Sequence, residues 1–353
     1  MERARGDMRR GTAQGRPAIL FFGWSAVGAL ALAFAGLAAA PPNAHGEVKP
    51  AASFVARRPA SRVEPGPPPE ASLEDLAAAS AILVEAESGE VLYSRAARER
   101  RAPASLTKVM SAVIVLERAG PADQVVVSPR APEAGGHSMG LRPGQRLSVA
   151  DLLAALMIRS ANDAAVALAE HVGRSVAGFA ALMNAKARAL GMADTHFENP
   201  HGLDAPEHYS TAYDLAILTR YAFQSPAFAE LVRARQKVIT VSTPGSGKRR
   251  GRLVARQRVL RTHNRLLDAF EGADGVKTGF TGEAGRCLVA SAQRGGRRLI
   301  AVLLNDLRRW DDAATLLEYG FTIRNGSGEP RDVGPPGLAP PRHFAPDEPQ
   351  VGG

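Results

Sequence analysis

The chain has 353 residues, enough for two domains by length, with 45% hydrophobic residues and a formal net charge of +9. It contains one cysteine, Cys287, which excludes a fold held by intramolecular disulfides, so the folded part must depend on an ordinary apolar core.

The N-terminal segment has the pattern of an export signal. Basic residues before residue 18 are followed by "AILFFGWSAVGALALAFAGLAAA", residues 18–40, which carries no charge and ends in a possible small-residue cleavage site. Such a run is also long enough to be kept as a membrane anchor. We therefore expect residues 1–40 to be a signal peptide or an anchor, with the protein in the periplasm or at the outer face of the cytoplasmic membrane.

Two proline-rich segments enclose the predicted globular part. Residues 41–70 contain eight prolines, and residues 325–353 contain seven prolines and six glycines, with few aliphatic residues in either. This composition predicts a disordered linker over 41–77 and a disordered tail over 324–353. Residues 78–323 are then one unit of sufficient size for a substantial core.

The unit begins with a predicted β-hairpin and continues with helices. "AILVEAESGEVLYS" has two apolar runs around Ser88-Gly89, which predicts the hairpin. A first helix is predicted over 105–118, and Ser148 with Asp151 has the spacing of a capping box that opens a second. Further helices are expected over 163–172, 175–190 and 211–223.

The C-terminal part is expected to return to strands. "KVITVS" and "RLVARQRVLR" flank a glycine-rich turn, "GRCLVASAQR" and "RRLIAVLLN" flank Gly295-Gly296, and a closing helix is predicted over 311–323. Strands at both ends with helices between them indicate an α+β class, with an antiparallel sheet flanked by helices and a mostly helical subdomain.

A serine and a lysine at the start of the first helix form a candidate catalytic pair. Ser105 and Lys108 are three residues apart and share one helix face. A serine hydroxyl needs an adjacent base to attack, and a lysine serves as that base only when burial or a second cation lowers its pKa. The alternative is that Ser105 caps the helix and Lys108 is a solvated charge.

Two later stretches strengthen the catalytic interpretation. "SAND" contributes Ser160 and Asn162, and "DGVKTGFT" contains Lys277, Thr278 and Gly279. Separately, they are compatible with a helix cap and a strand entry. Together they follow the order Ser-x-x-Lys, Ser-x-Asn, Lys-Thr-Gly of penicillin-binding serine enzymes.

The sequence resembles the low-molecular-mass penicillin-binding proteins that act as serine D-alanyl-D-alanine carboxypeptidases, peptidase family S11. Besides the three motifs, the resemblance includes "LRPGQRLSVADLLAALMIRSANDAAVALAE", "MNAKARALGM" and "NPHGLD", and it covers roughly residues 78–323. It implies a fold like that of DD-peptidases and β-lactamases. The implied activity is removal of the terminal D-alanine from peptidoglycan pentapeptides.

The resemblance also implies catalytic roles. Ser105 is expected to be the acylated nucleophile, Lys108 its general base, and Ser160 a proton relay to the leaving nitrogen. Backbone N–H groups of Ser105 and Phe280 are expected to form the oxyanion hole, with Gly279 beside them in the substrate-binding strand.

The remaining implied residues bind substrate. Asn162 is expected to hold a substrate amide, Lys277 to keep the site positive, and Thr278 to bind the terminal carboxylate. An arginine before the last helix often assists the carboxylate in this family; Arg309 is the candidate, with the adjacent Arg308 as the alternative.

No cofactor and no metal ion is expected. His196, His201 and His208 have no metal-binding spacing and are interpreted as loop residues. The expected partners are peptidoglycan stem peptides and, as covalent inhibitors, β-lactams. The basic run over 248–261 is either a solvated hairpin tip or a contact with an anionic envelope surface. Nucleic acid is not expected as a partner of an exported protein.

Three other functions remain open from the sequence. A D-alanyl endopeptidase would need only a more open cleft. A class A-like β-lactamase would need a glutamate that activates water, and Glu198 lies in the corresponding interval without that enzyme's motif. A non-catalytic wall-binding module would keep the fold without the reactive side chains.

Overall fold

The computed structural model describes residues 73–247 and 250–323. The predicted signal segment over 1–40, most of the linker over 41–77 and the tail over 324–353 lie outside the described residues. Among those residues, no helix combines the length and the apolar character needed to span a bilayer.

The described chain contains α-helices and β-strands throughout its length. In chain order they are β1 (Ser80–Glu85), β2 (Val91–Arg95), α1 (Lys108–Arg118), β3 (Gln124–Val126), β4 (Arg146–Ser148), α2 (Val149–Ile158), α3 (Asn162–Gly173), α4 (Val176–Leu190), α5 (Ala212–Ala222), α6 (Pro226–Val232), β5 (Gln236–Pro244), β6 (Leu253–Arg261), α7 (Leu266–Ala269), β7 (Ala273–Thr281), β8 (Gly285–Arg294), β9 (Arg297–Leu304) and α8 (Arg309–Thr322).

A five-stranded antiparallel sheet joins the two ends of the unit, in the order β2-β1-β9-β8-β7. Both faces of its central strands are covered by apolar cores. Because side chains alternate along a strand, successive residues enter different cores. Ile82 and Val84 pack into the larger core with the helices around α1, whereas Ala81 and Leu83 pack into a second core with α8. The expected α+β class with an antiparallel sheet flanked by helices is therefore confirmed.

A second sheet was not anticipated from the sequence. The long hairpin of β5 and β6 belongs to a separate four-stranded sheet, in the order β3-β4-β5-β6, rather than to the sheet that holds β8 and β9. Its partners β3 and β4 have three residues each, too few for an alternating pattern to be recognised. The predicted, mostly helical subdomain therefore contains a small sheet besides its helices.

The ordered unit begins before residue 78, which corrects the predicted end of the linker. Residues 73–75 form a 3₁₀ turn, and Leu76 is buried in the core beside α8. The Arg95 side chain donates hydrogen bonds to the carbonyl oxygens of Leu73 and Leu76. These contacts extend across only a few residues, so a composition average over the proline-rich segment obscures them.

The predicted helix starts follow from capping chemistry. The Ser148 hydroxyl accepts a hydrogen bond from the Asp151 N–H, and Thr211 accepts one from the Asp214 N–H, so each satisfies a free donor at a helix N-terminus. The two caps fix the starts of α2 and α5. After α2 ends at Ile158, only three residues precede α3, which begins at Asn162.

Candidate active site

Ser105 does not cap a helix. It lies in a 3₁₀ turn, Ala104–Thr107, and α1 begins only at Lys108, with no side-chain cap at either start. The preceding Ala104 has φ 48°, a left-handed conformation that costs a non-glycine residue free energy. This backbone leaves the Ser105 hydroxyl directed into a cavity instead of toward the helix N–H groups.

Lys108 is completely buried, and its amine contacts three oxygen atoms. Its Nζ lies 2.9 Å from Ser105 Oγ, 2.7 Å from Asn162 Oδ1 and 2.7 Å from the carbonyl oxygen of His201. The chain therefore brings the predicted serine and lysine together, and it adds two acceptors from distant segments that fix the position of the amine.

The surroundings favour a neutral Lys108. Burial lowers its pKa well below the usual lysine value, because the charged form loses hydration, and the nearby Lys277 cation lowers the pKa further. A neutral amine keeps a lone pair that accepts a proton. The physical condition for a lysine to act as a base beside a serine is thus present.

Ser160 and Lys277 form a second pair in the same site. Lys277 Nζ donates hydrogen bonds to Ser160 Oγ at 2.9 Å and to the Thr278 carbonyl oxygen at 2.8 Å. Burial, with a smaller effect of Arg309, lowers the pKa of Lys277 to about 7. Ser160 has φ 61° and does not cap α3, which starts after Ala161 without a side-chain cap.

The strand β7 lies against the turn that carries Ser105. A Cβ atom added to Gly279 would lie only 3.0 Å from the Ala104 side chain and 3.2 Å from the Ser105 nitrogen, so a larger residue there would crowd the turn. Because β7 is an edge strand, paired only with β8, its other edge faces the cavity. The Phe280 side chain is 67% exposed at this edge.

These groups border a cavity of about 530 Å³. Its walls come from the turn at Ser105, the loop around residues 136–137, the start of α3, the loop around residue 202, β7 and the start of α8. The lining residues are Ser105, Gly136, His137, Ser160, Asn162, Gly202, Leu203, His263, Thr278, Gly279, Phe280, Thr281 and Arg309. Lys108 and Lys277 are buried behind this wall.

Of the two candidate arginines, only Arg309 reaches the cavity. Its Nη1 donates a hydrogen bond to the Gly279 carbonyl oxygen at 2.7 Å and one to the Cys287 carbonyl oxygen at 3.2 Å. Arg308 instead hydrogen-bonds the Asp75 carbonyl oxygen and lies near Asp312. The geometry therefore favours Arg309 over Arg308.

Asp163 was missed by the sequence analysis. It is completely buried, and its carboxylate accepts hydrogen bonds from the Ser138 hydroxyl and from the N–H groups of Met139 and Leu141. It thereby fixes the loop that borders the cavity. An acidic residue in the first turn of a helix is ordinarily explained by the helix dipole, so its position gave no separate signal.

Two histidines also border the cavity without having been predicted. The rings of His137 and His263 stack with centroids 5.0 Å apart, and Arg159 Nη1 lies 2.6 Å from His263 Nε2. Burial and the Arg159 cation lower the pKa of His263 to about 4, so the ring is neutral at ordinary pH. Nothing in the spacing of residues 137, 159 and 263 indicates that they meet.

His196, His208 and Glu198 do not line the cavity. The His208 ring contacts the Thr107 hydroxyl at 2.8 Å, and His196 Nδ1 lies 2.7 Å from the Glu207 carbonyl oxygen. Within residues 73–247 and 250–323, no group of three or more His, Cys, Asp or Glu side chains is arranged to hold a metal ion. Glu198 is exposed and does not line the cavity.

Gly202 is expected to be essential for the site because it contacts the turn of Ser105. It has φ 87°, and an added Cβ would overlap the Ala104 carbonyl group and lie 2.8 Å from Thr107 Oγ1. We expect Gly202→Ala to lower the free energy of unfolding by about 3 kcal/mol or more. Thermal denaturation measures this loss.

Gly282→Ala is the matched control for Gly202→Ala. It lies outside the left-handed region, and an added Cβ meets nothing within 4 Å. We expect its melting temperature to be unchanged. Equal melting temperatures for the two variants would contradict the role of Gly202 in packing this turn.

Comparisons with known proteins agree with the sequence resemblance. A family model described as D-alanyl-D-alanine carboxypeptidase, peptidase family S11, matches residues 67–307. The D-alanyl-D-alanine carboxypeptidase DacF of Bacillus subtilis is 38% identical over 253 residues, which are 69% of this chain and 62% of that protein. DacC of Escherichia coli is 38% identical over 255 residues, 68% of this chain and 60% of that protein.

Solved structures give the same result. A D-alanyl-D-alanine carboxypeptidase from Mycobacterium tuberculosis superposes with a TM-score of 0.65 and 33% identity, covering 71% of this chain and 94% of that chain. A mutant of the Streptomyces K15 DD-transpeptidase superposes with a TM-score of 0.66 and 30% identity, covering 70% of this chain and 99% of that chain. The expected fold like that of DD-peptidases is thereby confirmed. The match spans only about three fifths of the DacF and DacC relatives.

Proposed function

Because this chain belongs to peptidase family S11, the D-alanyl-D-alanine carboxypeptidases among the low-molecular-mass penicillin-binding proteins, we propose that it removes the terminal D-alanine from peptidoglycan pentapeptides. The reaction passes through an acyl-enzyme on Ser105. The observation that carries this proposal is the 2.9 Å contact between Ser105 Oγ and the buried Lys108 Nζ.

Acylation begins with proton transfer from Ser105 to Lys108. A neutral Lys108 has two N–H donors and one lone pair. The donors are used by Asn162 Oδ1 and the His201 carbonyl oxygen, which leaves the lone pair for the Ser105 hydroxyl. Ser105 Oγ then forms a bond to the carbonyl carbon of the penultimate D-alanine as the hydroxyl proton passes to the amine.

The developing oxyanion is stabilised by backbone N–H groups of Ser105 and Phe280. The close approach of β7 to the Ser105 turn supports this assignment. The two segments can lie this close because Gly279, which faces the turn, has no side chain. Two donors fixed on packed backbone need no reorganisation when the negative charge appears. The side chain at position 280 can then remain exposed without a role in the reaction.

Expulsion of the terminal D-alanine requires a proton on its nitrogen. Ser160, which lines the cavity, delivers it from its hydroxyl and takes a replacement proton from Lys277 Nζ, its hydrogen-bond donor. The carbon–nitrogen bond breaks as the amine leaves, and water later hydrolyses the ester on Ser105. Asn162 orients a substrate amide while it holds Lys108.

Cations on one side of the cavity recognise the free carboxylate of the peptide. Thr278 and Arg309 line the cavity, and Lys277 lies behind them. The pKa of Lys277 is about 7, and a bound carboxylate stabilises its charged form. Recognition of a carboxylate explains why the enzyme removes a terminal residue.

Export is part of the proposal because the substrate lies outside the cytoplasm. The uncharged segment over 18–40 supports export as a signal peptide or an anchor, to the periplasm or the outer face of the cytoplasmic membrane. The arginines of β6 are proposed to face anionic components of the envelope. Residues 252–261 contain four arginines, three of them in β6, and no acidic residue.

The function is tested by incubating the purified chain with penicillin, digesting it and locating the adduct by mass spectrometry. We expect one adduct, on the peptide that contains Ser105, and release of D-alanine from a wall pentapeptide. Failure to release D-alanine from any pentapeptide would contradict the proposal.

The same preparation separates this function from the alternatives. Penicillin release is expected to be slow, because Glu198 is exposed and outside the cavity. Rapid turnover of a chromogenic cephalosporin would favour a β-lactamase instead. Preferential cleavage of cross-linked dimers over pentapeptides would favour an endopeptidase.

A further inference from the structure

A second cavity, of about 360 Å³, lies at the four-stranded sheet and shares no lining residue with the active-site cavity. The residue before β4 and the loop preceding it contribute Gln145 and Arg142, and the end of β5 contributes Thr243. Arg256 and Arg258 of β6 complete its charged wall. We call this cavity the arginine groove.

The arginine groove is positively charged and has no counter-charge of its own. Three guanidinium groups line it, and no carboxylate does. Within the described part of the chain, Arg142 and Arg256 form no ion pair with an Asp or Glu side chain. Arg256 and Arg258 are two residues apart on one strand and so project to the same face. Such a wall is suited to an anionic ligand.

The floor of the groove is fixed by hydrogen bonds. Gln145 Nε2 donates to Thr243 Oγ1 at 3.0 Å, and Gln145 Oε1 accepts from the Arg142 N–H at 2.9 Å. Arg258 Nη1 donates to the Met139 carbonyl oxygen at 2.8 Å. Gln145 is buried, so these bonds fix the floor of the groove and the position of the Arg258 side chain, while Arg142 and Arg256 are exposed at its wall.

The groove is connected to the active site by one loop. The Gly135 carbonyl oxygen accepts a hydrogen bond from Asn162 Nδ2, and the His137 carbonyl oxygen accepts one from the Asn162 N–H. Arg142, in the groove, follows His137, in the active-site wall, by five positions in the chain. Their Cα atoms are therefore at most roughly 18 Å apart. Both cavities therefore lie within reach of one polymeric substrate.

We propose that the arginine groove binds carboxylate groups of the peptidoglycan polymer while another stem peptide of the same polymer occupies the active site. This inference rests on the proposed function. Guanidinium groups bind carboxylates and phosphates through paired hydrogen bonds. A carboxylate carried by the polymer already held at Ser105 has a high effective concentration at the groove, which an unconnected phosphate lacks. The groove thus selects polymer over short peptides.

The test compares two double variants with the same change of charge. Arg142→Gln with Arg256→Gln removes two groove guanidiniums, whereas Arg130→Gln with Arg188→Gln removes two exposed ones that do not line the groove. For the groove variant we expect KM on polymeric peptidoglycan to rise roughly tenfold, with kcat unchanged. Its KM on a short D-Ala-D-Ala peptide and its penicillin acylation should equal those of the unmodified chain. The control variant should retain the original KM on both substrates.

Several outcomes would overturn the inference. An equal rise in the KM of the groove variant on the short peptide would mean that the substitutions disturb the active site. An equal rise in the KM of the control variant on polymeric peptidoglycan would indicate a general charge effect. Peptidoglycan stripped of phosphate polymers by hydrofluoric acid keeps its carboxylates. A difference that disappears after this treatment would assign the groove to phosphate. If the unmodified chain released no D-alanine at all, the proposed function would fail, and direct sedimentation of both variants with stripped peptidoglycan would still test the groove.

Discussion

Replacement of Ser105 by alanine is expected to abolish both the penicillin adduct and D-alanine release. In the proposed reaction the Ser105 hydroxyl oxygen forms the acyl bond, and of the cavity hydroxyls it is the one in contact with Lys108 Nζ, whereas Ser160 Oγ is bonded to Lys277 Nζ. Loss of the nucleophile in serine enzymes lowers kcat by about 10⁶-fold. The measurements are intact mass after incubation with penicillin and D-alanine release from a pentapeptide.

The fold should survive this change because the hydroxyl is not a cap and contributes no helix hydrogen bond. A matched control is Ser88→Ala, whose hydroxyl contacts only the β1–β2 turn through Glu85 and Glu90. We expect normal labelling of that variant. Persistent labelling of the Ser105→Ala variant at the same peptide would reject Ser105 as the nucleophile.

The motifs predicted which residues meet because their spacing and order contain geometric information. Ser105 and Lys108 are three residues apart at a helix start, which brings Lys108 Nζ within 2.9 Å of the hydroxyl. The capping box at Ser148 likewise predicted a helix start from local chemistry. Features that depend on neighbours three or four residues away are therefore readable from one sequence.

Contacts between distant segments outside the three motifs were not readable. The His201 carbonyl oxygen is 93 residues from Lys108 and becomes its acceptor only because Gly202 lies against Ala104. The hydrogen bonds of Asp163 to the loop before β4 and the assignment of β5 to a second sheet have the same origin. In each case the partner is a backbone group or a short strand, for which no side-chain pattern exists.

Lys108→Ala is expected to lower the rate of penicillin acylation by about 10³-fold while the protein stays folded, because the general base is lost. Removing the amine also removes the free-energy cost of burying it, although the Asn162 amide and the His201 carbonyl lose a partner. Stopped-flow acylation and thermal denaturation measure the two effects separately. Near-normal labelling of the folded variant would contradict the role of Lys108.

Lys108→Arg separates base catalysis from the presence of a cation, since a guanidinium stays protonated at every accessible pH. We expect Lys108→Arg to be acylated as slowly as Lys108→Ala.

In the unmodified chain the acylation rate should rise with pH as Lys108 loses its proton. Because burial and the Lys277 charge lower the pKa of Lys108, this rise should be complete at a lower pH than an ordinary lysine would allow. Lys277→Gln removes the second cation, so the rise should move to higher pH. An unshifted rise would mean that the base is a group on which the Lys277 charge does not act.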